Sequence, residues 1–341
     1  MTQSHMAREV AEIPEAAARF LSTAGPVLAE AGAALRTQDP GLVVTVARGS
    51  SDHAASYLKY AIELAAGIPV ASVGPSVASI YRRPLRLSGA CCLGISQSGR
   101  SPDIVEMMRA ARAGGALGVA ITNHADSPVA AAADHTLALA AGEEQSVAAT
   151  KTFVNSILAG LALLAEWQED AALRRALDDL PDALARAIVL DWTPLSDRLA
   201  HATQAFVLGR GPGFAIAAEA ALKMKETSGI HAEAYSAAEV LHGPAAIVQA
   251  RFPILTLGVD DAALPQLLGT AERLAAQGAD VFVTGGEVAG VTRLPTISDL
   301  HPLIAPLALI ATYYAFVEGL ARRRGFDPDT PPHLRKVTET L

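Results

Sequence analysis

The amino-acid sequence predicts an α/β chain made of two tandem copies of one unit, each a parallel sheet with helices on both faces. Three observations carry this. Short apolar, β-branched runs alternate with stretches of helical periodicity at a spacing that suits a parallel sheet. Two strand-to-helix connections in the first half are rich in serine and glycine. The second half repeats the first at a constant offset of 162 positions.

Residues 1–40 are alanine-rich and helical, broken into pieces at Pro14 and Pro26. Residues 42–46 read as a strand that ends in Ala47-Arg48-Gly49-Ser50-Ser51-Asp52, and 53–66 as the helix behind it. Further strands are expected at 70–73, 91–95, 117–122 and 136–140, and an apolar helix carrying the single cation Lys151 at 147–167. The strand at 91–95 runs into Ser96-Gln97-Ser98-Gly99, after which Ser101 suits an N-cap and Pro102 the first helical position. A strand, a hydroxyl-rich turn and a helix start make an anion site, because unpaired amides and the positive end of the helix dipole face the turn. Ser96, Ser98 and Ser101 add hydroxyl donors, with no acidic side chain between them. An isolated turn of this kind usually just caps a surface helix; the second hydroxyl turn at Ser50-Ser51 favours a phosphate site.

The offset takes Arg48-Gly49 to Arg210-Gly211, Gly67-Ile68 to Gly229-Ile230, and Thr122 to Thr284. The differences between the copies carry more information. Ser50-Ser51 becomes Pro212-Gly213, and Ser96-Gln97-Ser98-Gly99 becomes Gly258-Val259-Asp260-Asp261. The second copy has exchanged hydroxyls for carboxylates, so only the first suits a phosphate. The sequence organisation is therefore a helical segment at 1–40, a first sheet domain at 41–180, a second at 195–325 and a tail at 326–341.

Composition excludes several function classes. Hydrophobic residues are 51% and charged residues 18%, which describes a globular chain rather than a disordered one. A net charge of −8 with scattered Lys and Arg argues against nucleic acid as a partner. The N-terminus lacks a basic start and apolar core, and the longest apolar run, 302–317, contains Pro306 and falls short of the ~20 residues a membrane span needs. A cytoplasmic location is expected. Cys91 and Cys92 are neighbours on a strand and point to opposite faces, so no disulfide joins them.

The second half carries titratable groups. Residues 217–226 form a helix in which Glu219, Lys223 and Glu226 share a face, Lys225 lying beside them. Such spacing is most often a solvated ion-pair face. His242 precedes Gly243-Pro244 in a turn from which an imidazole can reach a ligand. No His, Cys or carboxylate spacing has a metal-ligand pattern, and neither a metal nor a cofactor is expected.

Together these motifs resemble the sugar isomerase (SIS) family, in particular the isomerase half of glucosamine-6-phosphate synthases and the glucosamine-6-phosphate deaminases without a glutaminase domain. The carriers are Arg48-Gly49-Ser50-Ser51-Asp52-His53, Ile95-Ser96-Gln97-Ser98-Gly99 and Val147-Ala148-Ala149-Thr150-Lys151. In the second half they are Glu219-Ala220-Ala221-Leu222-Lys223-Met224-Lys225-Glu226, His231-Ala232-Glu233-Ala234-Tyr235, Glu239-Val240-Leu241-His242-Gly243-Pro244 and Leu334-Arg335-Lys336-Val337-Thr338. The resemblance implies two tandem SIS domains of flavodoxin-like three-layer αβα fold. It implies that Ser50, Ser51, Ser96, Gln97, Ser98 and Ser101 bind a sugar phosphate, with Val147 and Ala149 at the sugar. Glu226 would move a proton between C1 and C2, Lys223 and His242 would assist ring opening, and Lys336 would meet the open-chain sugar. His242 would come from the partner subunit of a homodimer with a shared site.

Two departures are informative. Arg48 stands where the synthases carry cysteine, as in the deaminase branch, and Ala149 stands for a serine near the sugar. Residues 1–40 alone precede the resembling region, so the glutamine-hydrolysing domain is expected to be absent. The expected reaction is glucosamine 6-phosphate plus water giving fructose 6-phosphate plus ammonia. Ammonia-dependent synthesis, or deglycation of a related sugar-phosphate amine, are alternatives of the same class. A non-catalytic sugar-phosphate sensor is the alternative of another class, and it would need only the serine turns.

Overall fold

The computed structural model describes residues 3–336. Ten strands form two five-stranded parallel sheets. The first sheet contains β1 (Val43–Val46), β2 (Val70–Ser72), β3 (Cys91–Ile95), β4 (Leu117–Thr122) and β5 (His135–Ala138), in the order β2-β1-β3-β4-β5. The second contains β6 (Gln204–Gly209), β7 (His231–Ser236), β8 (Pro253–Thr256), β9 (Asp280–Val283) and β10 (Thr292–Arg293), in the order β7-β6-β8-β9-β10. The two orders are the same, and each sheet is flanked by helices in a three-layer α/β fold.

The repeat extends to backbone angles. Gly49 has φ 55° and ψ −132°, and Gly211, 162 positions later, has φ 55° and ψ −135°. A side chain would be strained in that region, so each strand exit needs its glycine. The helices that follow, Ser50–Ala66 and Pro212–Ser228, are both 17 residues long and end on left-handed Gly67 and Gly229.

Strand alternation sorts the first core. Val44, Val46 and Cys92 pack with Ile104, Met107, Met108 and Ala111 of helix Pro102–Ala113. Val43, Cys91 and Leu93 face the opposite side, towards Gly160, Leu163 and Leu164 of helix Lys151–Trp167. The two cysteines thus lie on opposite faces and are unpaired thiols. Burial pushes the Cys92 thiol up to about 12 and Cys91 higher still, so neither is a nucleophile at neutral pH. Gly160 lets that helix approach helix Ser50–Ala66, since a Cβ there would lie 2.3 Å from a Leu58 methyl. In the second sheet, Phe206 packs tilted against Phe252 and edge-to-face against Tyr235, centroids 4.7 and 5.1 Å apart, within a cluster that includes Leu267, Ala271 and Leu274 of helix Leu264–Ala276.

The chain divides into two compact units that do not follow chain order. One comprises the stretch to Ile13, Gln145–Thr150 and Asp182–Leu334, and contains the second sheet. The other comprises Pro14–Glu144, Lys151–Pro181 and the tail from Arg335, and contains the first sheet. Residues 147–150, expected as the start of the apolar helix, are not helical: the Val147 amide donates to the Asp329 carbonyl at 3.2 Å, and the helix begins at Lys151. In the same second-sheet unit, the Asp329 carboxylate accepts the amides of His5 and Met6 at 2.7 and 2.8 Å and so anchors helix His5–Ala11. Among the described residues no helix is long and apolar enough to cross a membrane.

Candidate active site

In the first-sheet unit, both hydroxyl turns lie at the carboxyl ends of adjacent strands, where parallel α/β sheets bind ligands. After β1, the Gly49 carbonyl accepts the amides of Asp52 and His53, and Ser50 and Ser51 begin the helix half-buried. After β3, the buried Ser96 Oγ accepts the Gly99 amide at 3.1 Å. The Gln97 carbonyl accepts the Asn123 amide at 3.1 Å and the Thr122 hydroxyl at 3.3 Å, which ties the turn to the end of β4. Gly99 has φ 64°, and a Cβ there would lie 2.1 Å from Ser127 Oγ, so no other residue fits. Ser101 occupies the N-cap position of helix Pro102–Ala113, but its hydroxyl makes no capping bond. The Ile104 amide is taken instead by the Asp103 carboxylate at 2.9 Å.

Asp103 is the residue the sequence did not flag. Its carboxylate is fully buried in the first turn of that helix, where it would repel an arriving phosphate. Arg48 neutralises it, with Nε and one terminal nitrogen 2.9 and 2.8 Å from Oδ2. The arginine at the end of β1 therefore prepares the turn at the end of β3. Asp52, in the first turn of helix Ser50–Ala66, is raised above the usual carboxylate value by burial, which the charges of His53 and Arg48 partly offset.

A cleft of about 660 Å³ opens over the ends of β3, β4 and β5. Gln97, Ser98, Asn123 and Lys336 line it, together with Arg19 and Arg100. The Asn123 side chain clamps the exit of β5, donating to the Gly142 carbonyl at 2.8 Å and accepting the Ala141 amide at 3.0 Å. Lys336 reaches the cleft from the tail because its Nζ bonds Glu144 Oε2 at 2.9 Å. Glu144 is buried and also accepts the Thr152 amide and hydroxyl at 3.1 and 2.7 Å. Nothing in the local pattern around Glu144 announced this pairing.

In the second-sheet unit, Glu219, Lys223 and Glu226 lie on helix Pro212–Ser228 and are not a solvated face. Lys223 is 1% exposed; its Nζ is 2.5 Å from Glu226 Oε2 and 3.3 Å from Glu219 Oε1. Glu219 is fully buried and accepts the Tyr314 hydroxyl at 3.0 Å, whereas the Glu226 side chain keeps 19% exposure. Burial alone would lower the Lys223 ammonium, but the charges of Glu219 and then Glu226 outweigh it and hold Lys223 above its ordinary 10.5. Tyr313 is held well above the usual phenol value by burial and then by the same two carboxylates, and it donates to the Ala220 carbonyl at 2.6 Å. The result is a fixed cation beside a carboxylate that solvent can reach, an arrangement that can hold and return a proton.

The structure thus brings Lys223 and Glu226 together, and brings Gln97, Ser98 and Lys336 to one cleft, with Ser96 buried beneath the turn. Ser50, Ser51 and Ser101 stand at two helix starts. Val147 and Ala149 are half-buried in the second-sheet unit. His242 is exposed at the end of a 3₁₀ turn, Glu239–His242, with no hydrogen bond or ion pair to the Lys223 cluster. Among the described residues no three His, Cys, Asp or Glu side chains could together hold a metal ion.

Two outcomes follow from these pairings. Arg48→Met leaves Asp103 buried without its cation and is expected to cost about 1–3 kcal/mol in chemical denaturation, the usual penalty of an unmet buried polar group. Unchanged stability would remove Arg48 from this role. For Lys223, the folded-state value lies above the unfolded one, so its contribution is complete below pH 10.5 and is lost as pH rises through the folded value. Thermal unfolding followed from neutral pH upward should therefore decline at the alkaline end. Lys223→Met should be destabilised by about 3–5 kcal/mol and show a shallower alkaline decline.

Comparison with known proteins agrees with this architecture. The sequence profile of the SIS domain matches residues 38–166 and 198–285. The glutamine–fructose-6-phosphate aminotransferase (isomerizing) of Zymomonas mobilis is 34% identical over 312 residues, covering 86% of this chain and 51% of its own length. The chain therefore spans about half the length of the aminotransferase relatives it matches. A crystal structure from Silicibacter pomeroyi, provisionally named a phosphosugar isomerase, is 52% identical with a TM-score of 0.93, covering 96% of this chain and 100% of that one. The C-terminal domain of glucosamine-fructose-6-phosphate aminotransferase from Francisella tularensis is 26% identical with a TM-score of 0.83, covering 97% and 99%. By its sequence profile, the chain belongs to the SIS domain family.

Proposed function

We propose that this protein is an enzyme acting on an amino-sugar 6-phosphate, converting glucosamine 6-phosphate and water to fructose 6-phosphate and ammonia. The observation that carries the reading is the buried Lys223 ammonium held between Glu219 and a partly exposed Glu226. A structural ion pair needs no solvent-facing carboxylate, and a sugar-phosphate sensor needs no proton carrier. The names of the relatives, an aminotransferase and a phosphosugar isomerase among them, support an aldose–ketose interconversion.

In this reading Ser50, Ser51, Ser96, Gln97, Ser98 and Ser101 bind the phosphate, and Val147 and Ala149 border the sugar. Lys223 and His242 assist ring opening. Glu226 takes the proton from C2 of the opened sugar and returns it at C1, giving a ketimine; water adds at C2 and ammonia leaves. Lys336 meets the open-chain sugar. The names of the aminotransferase relatives favour a second reading, the same steps run in reverse from fructose 6-phosphate and ammonia.

Glu226→Gln keeps shape but cannot carry a proton, so kcat should fall by about 10²–10⁴ with the protein folded. Ser98→Ala should instead raise KM, one hydrogen bond to a charged group being worth about 1.5–3 kcal/mol. Near-normal kcat in a folded Glu226→Gln protein, or equal turnover of unphosphorylated glucosamine, would overturn the reading. The reading also places His242 in the site of a partner subunit. Mixing His242→Ala chains with Glu226→Gln chains should then restore activity; exchanged mixtures that stay inactive would exclude a shared site.

A further inference from the structure

Away from the hydroxyl turns, a second groove of about 670 Å³ lies in the first-sheet unit between the segment after β2 and helix Pro102–Ala113. Ser79, Arg82 and Arg83 line one side, and Arg109, Ala110 and Gly114 the other. The groove exists because its floor is made of small residues, Ala78, Ala110 and Ala113 among them. Gly114 fixes its width: a Cβ there would lie 2.3 Å from the Leu85 carbonyl, so only glycine allows the loop to pack this close.

The rim is unusual for a chain with a net charge of −8. Among the described residues the Arg82 and Arg83 guanidinium groups have no carboxylate or carbonyl partner, whereas Arg109 is held by Glu106 at 2.6 Å. Arg82 has φ 51°, a left-handed conformation that is strained for a non-glycine residue. Ser79 Oγ is buried and has no hydrogen-bond partner, and a buried hydroxyl without one is rare. Tyr81, next to Arg82, is 69% exposed. Backbone strain and two unmatched forks of N–H donors meet at this groove, with the exposed Tyr81 next to them in the chain.

We propose that this groove is a binding site for a diphosphate ester of nucleotide size, separate from the sugar-phosphate site. Guanidinium forks match phosphate oxygens bidentately, so adjacent Arg82 and Arg83 suit two linked phosphates. Tyr81, exposed beside Arg82, offers a face for a planar base. A volume of about 670 Å³ accommodates such a ligand. Bound there, the ligand rests on helix Pro102–Ala113, which has Ser101 at its N-cap and Asp103 in its first turn.

Calorimetric titration of the full chain with ADP, and separately with inorganic pyrophosphate, tests this. Saturable binding of ADP is expected, and weaker binding of pyrophosphate, which has no base. Arg82→Gln/Arg83→Gln should weaken ADP binding by about 10-fold or more, the loss of charge-assisted hydrogen bonds, while folding and basal turnover are kept. The single Arg82→Gln protein should show part of the same loss, and serves if the double variant does not fold. Ser98→Ala, which alters the hydroxyl turn, should leave ADP binding unchanged, so the result does not depend on the proposed reaction. Three outcomes overturn the proposal: no saturable ADP binding, equal binding by wild type and the arginine variants, or arginine variants that change only the sedimentation of the protein. The last would make the groove a subunit contact.

Discussion

Burying one ammonium between two carboxylates dictates how the second-sheet unit is assembled. An exposed pair at this spacing contributes little, about 0–1 kcal/mol, whereas breaking a buried pair costs several times that. Lys223 is buried, so its surroundings must supply every partner. Glu219 and Glu226 supply charge, and Tyr314 from helix Ala305–Arg323 supplies a donor to Glu219. Tyr313 on the same helix bonds the Ala220 carbonyl, so two consecutive tyrosines lock that helix against Pro212–Ser228. The pairings that hold these helices together also aim Glu226 towards solvent.

The two copies divide the chemistry. At the positions matching Glu219, Lys223 and Glu226, the first copy has Tyr57, Ala61 and Leu64. That helix face is therefore apolar in the first copy and ionic in the second. The reverse holds at the strand exits, where the first copy keeps Ser96, Gln97 and Ser98 and the second has Gly258, Val259 and Asp260. One backbone thus carries an anion-facing turn in one copy and a proton-carrying helix in the other. The shared glycine angles at Gly49 and Gly211 show that the exits diverged in side chains and not in path.

Electrostatic compensation explains Arg48. A helix N-terminus favours an anion, and Asp103 takes that place before any ligand does. Arg48 cancels the carboxylate and leaves the turn able to accept negative charge. In the second copy the residue matching Asp103 is Pro265, and Arg210 turns instead to Ser236 Oγ at 2.9 Å. The same arginine thus serves two neighbours, chosen by what the other strand exit presents.

The sequence by itself determined the two copies, the strands of the first sheet and the helix start at Pro102. These are local properties: residue periodicity decides strand or helix. It also marked the hydroxyl turns and the Glu219, Lys223 and Glu226 spacing, but spacing could not tell a buried cluster from a solvated face. Only the tertiary structure decided that, because burial depends on what packs over the helix. It also decided the pairings of Arg48 with Asp103, Glu219 with Tyr314 and Glu144 with Lys336, which are 55, 95 and 192 residues apart. A local pattern carries no record of such partners; they meet because strand order and helix packing bring distant segments to one sheet edge or one helix face.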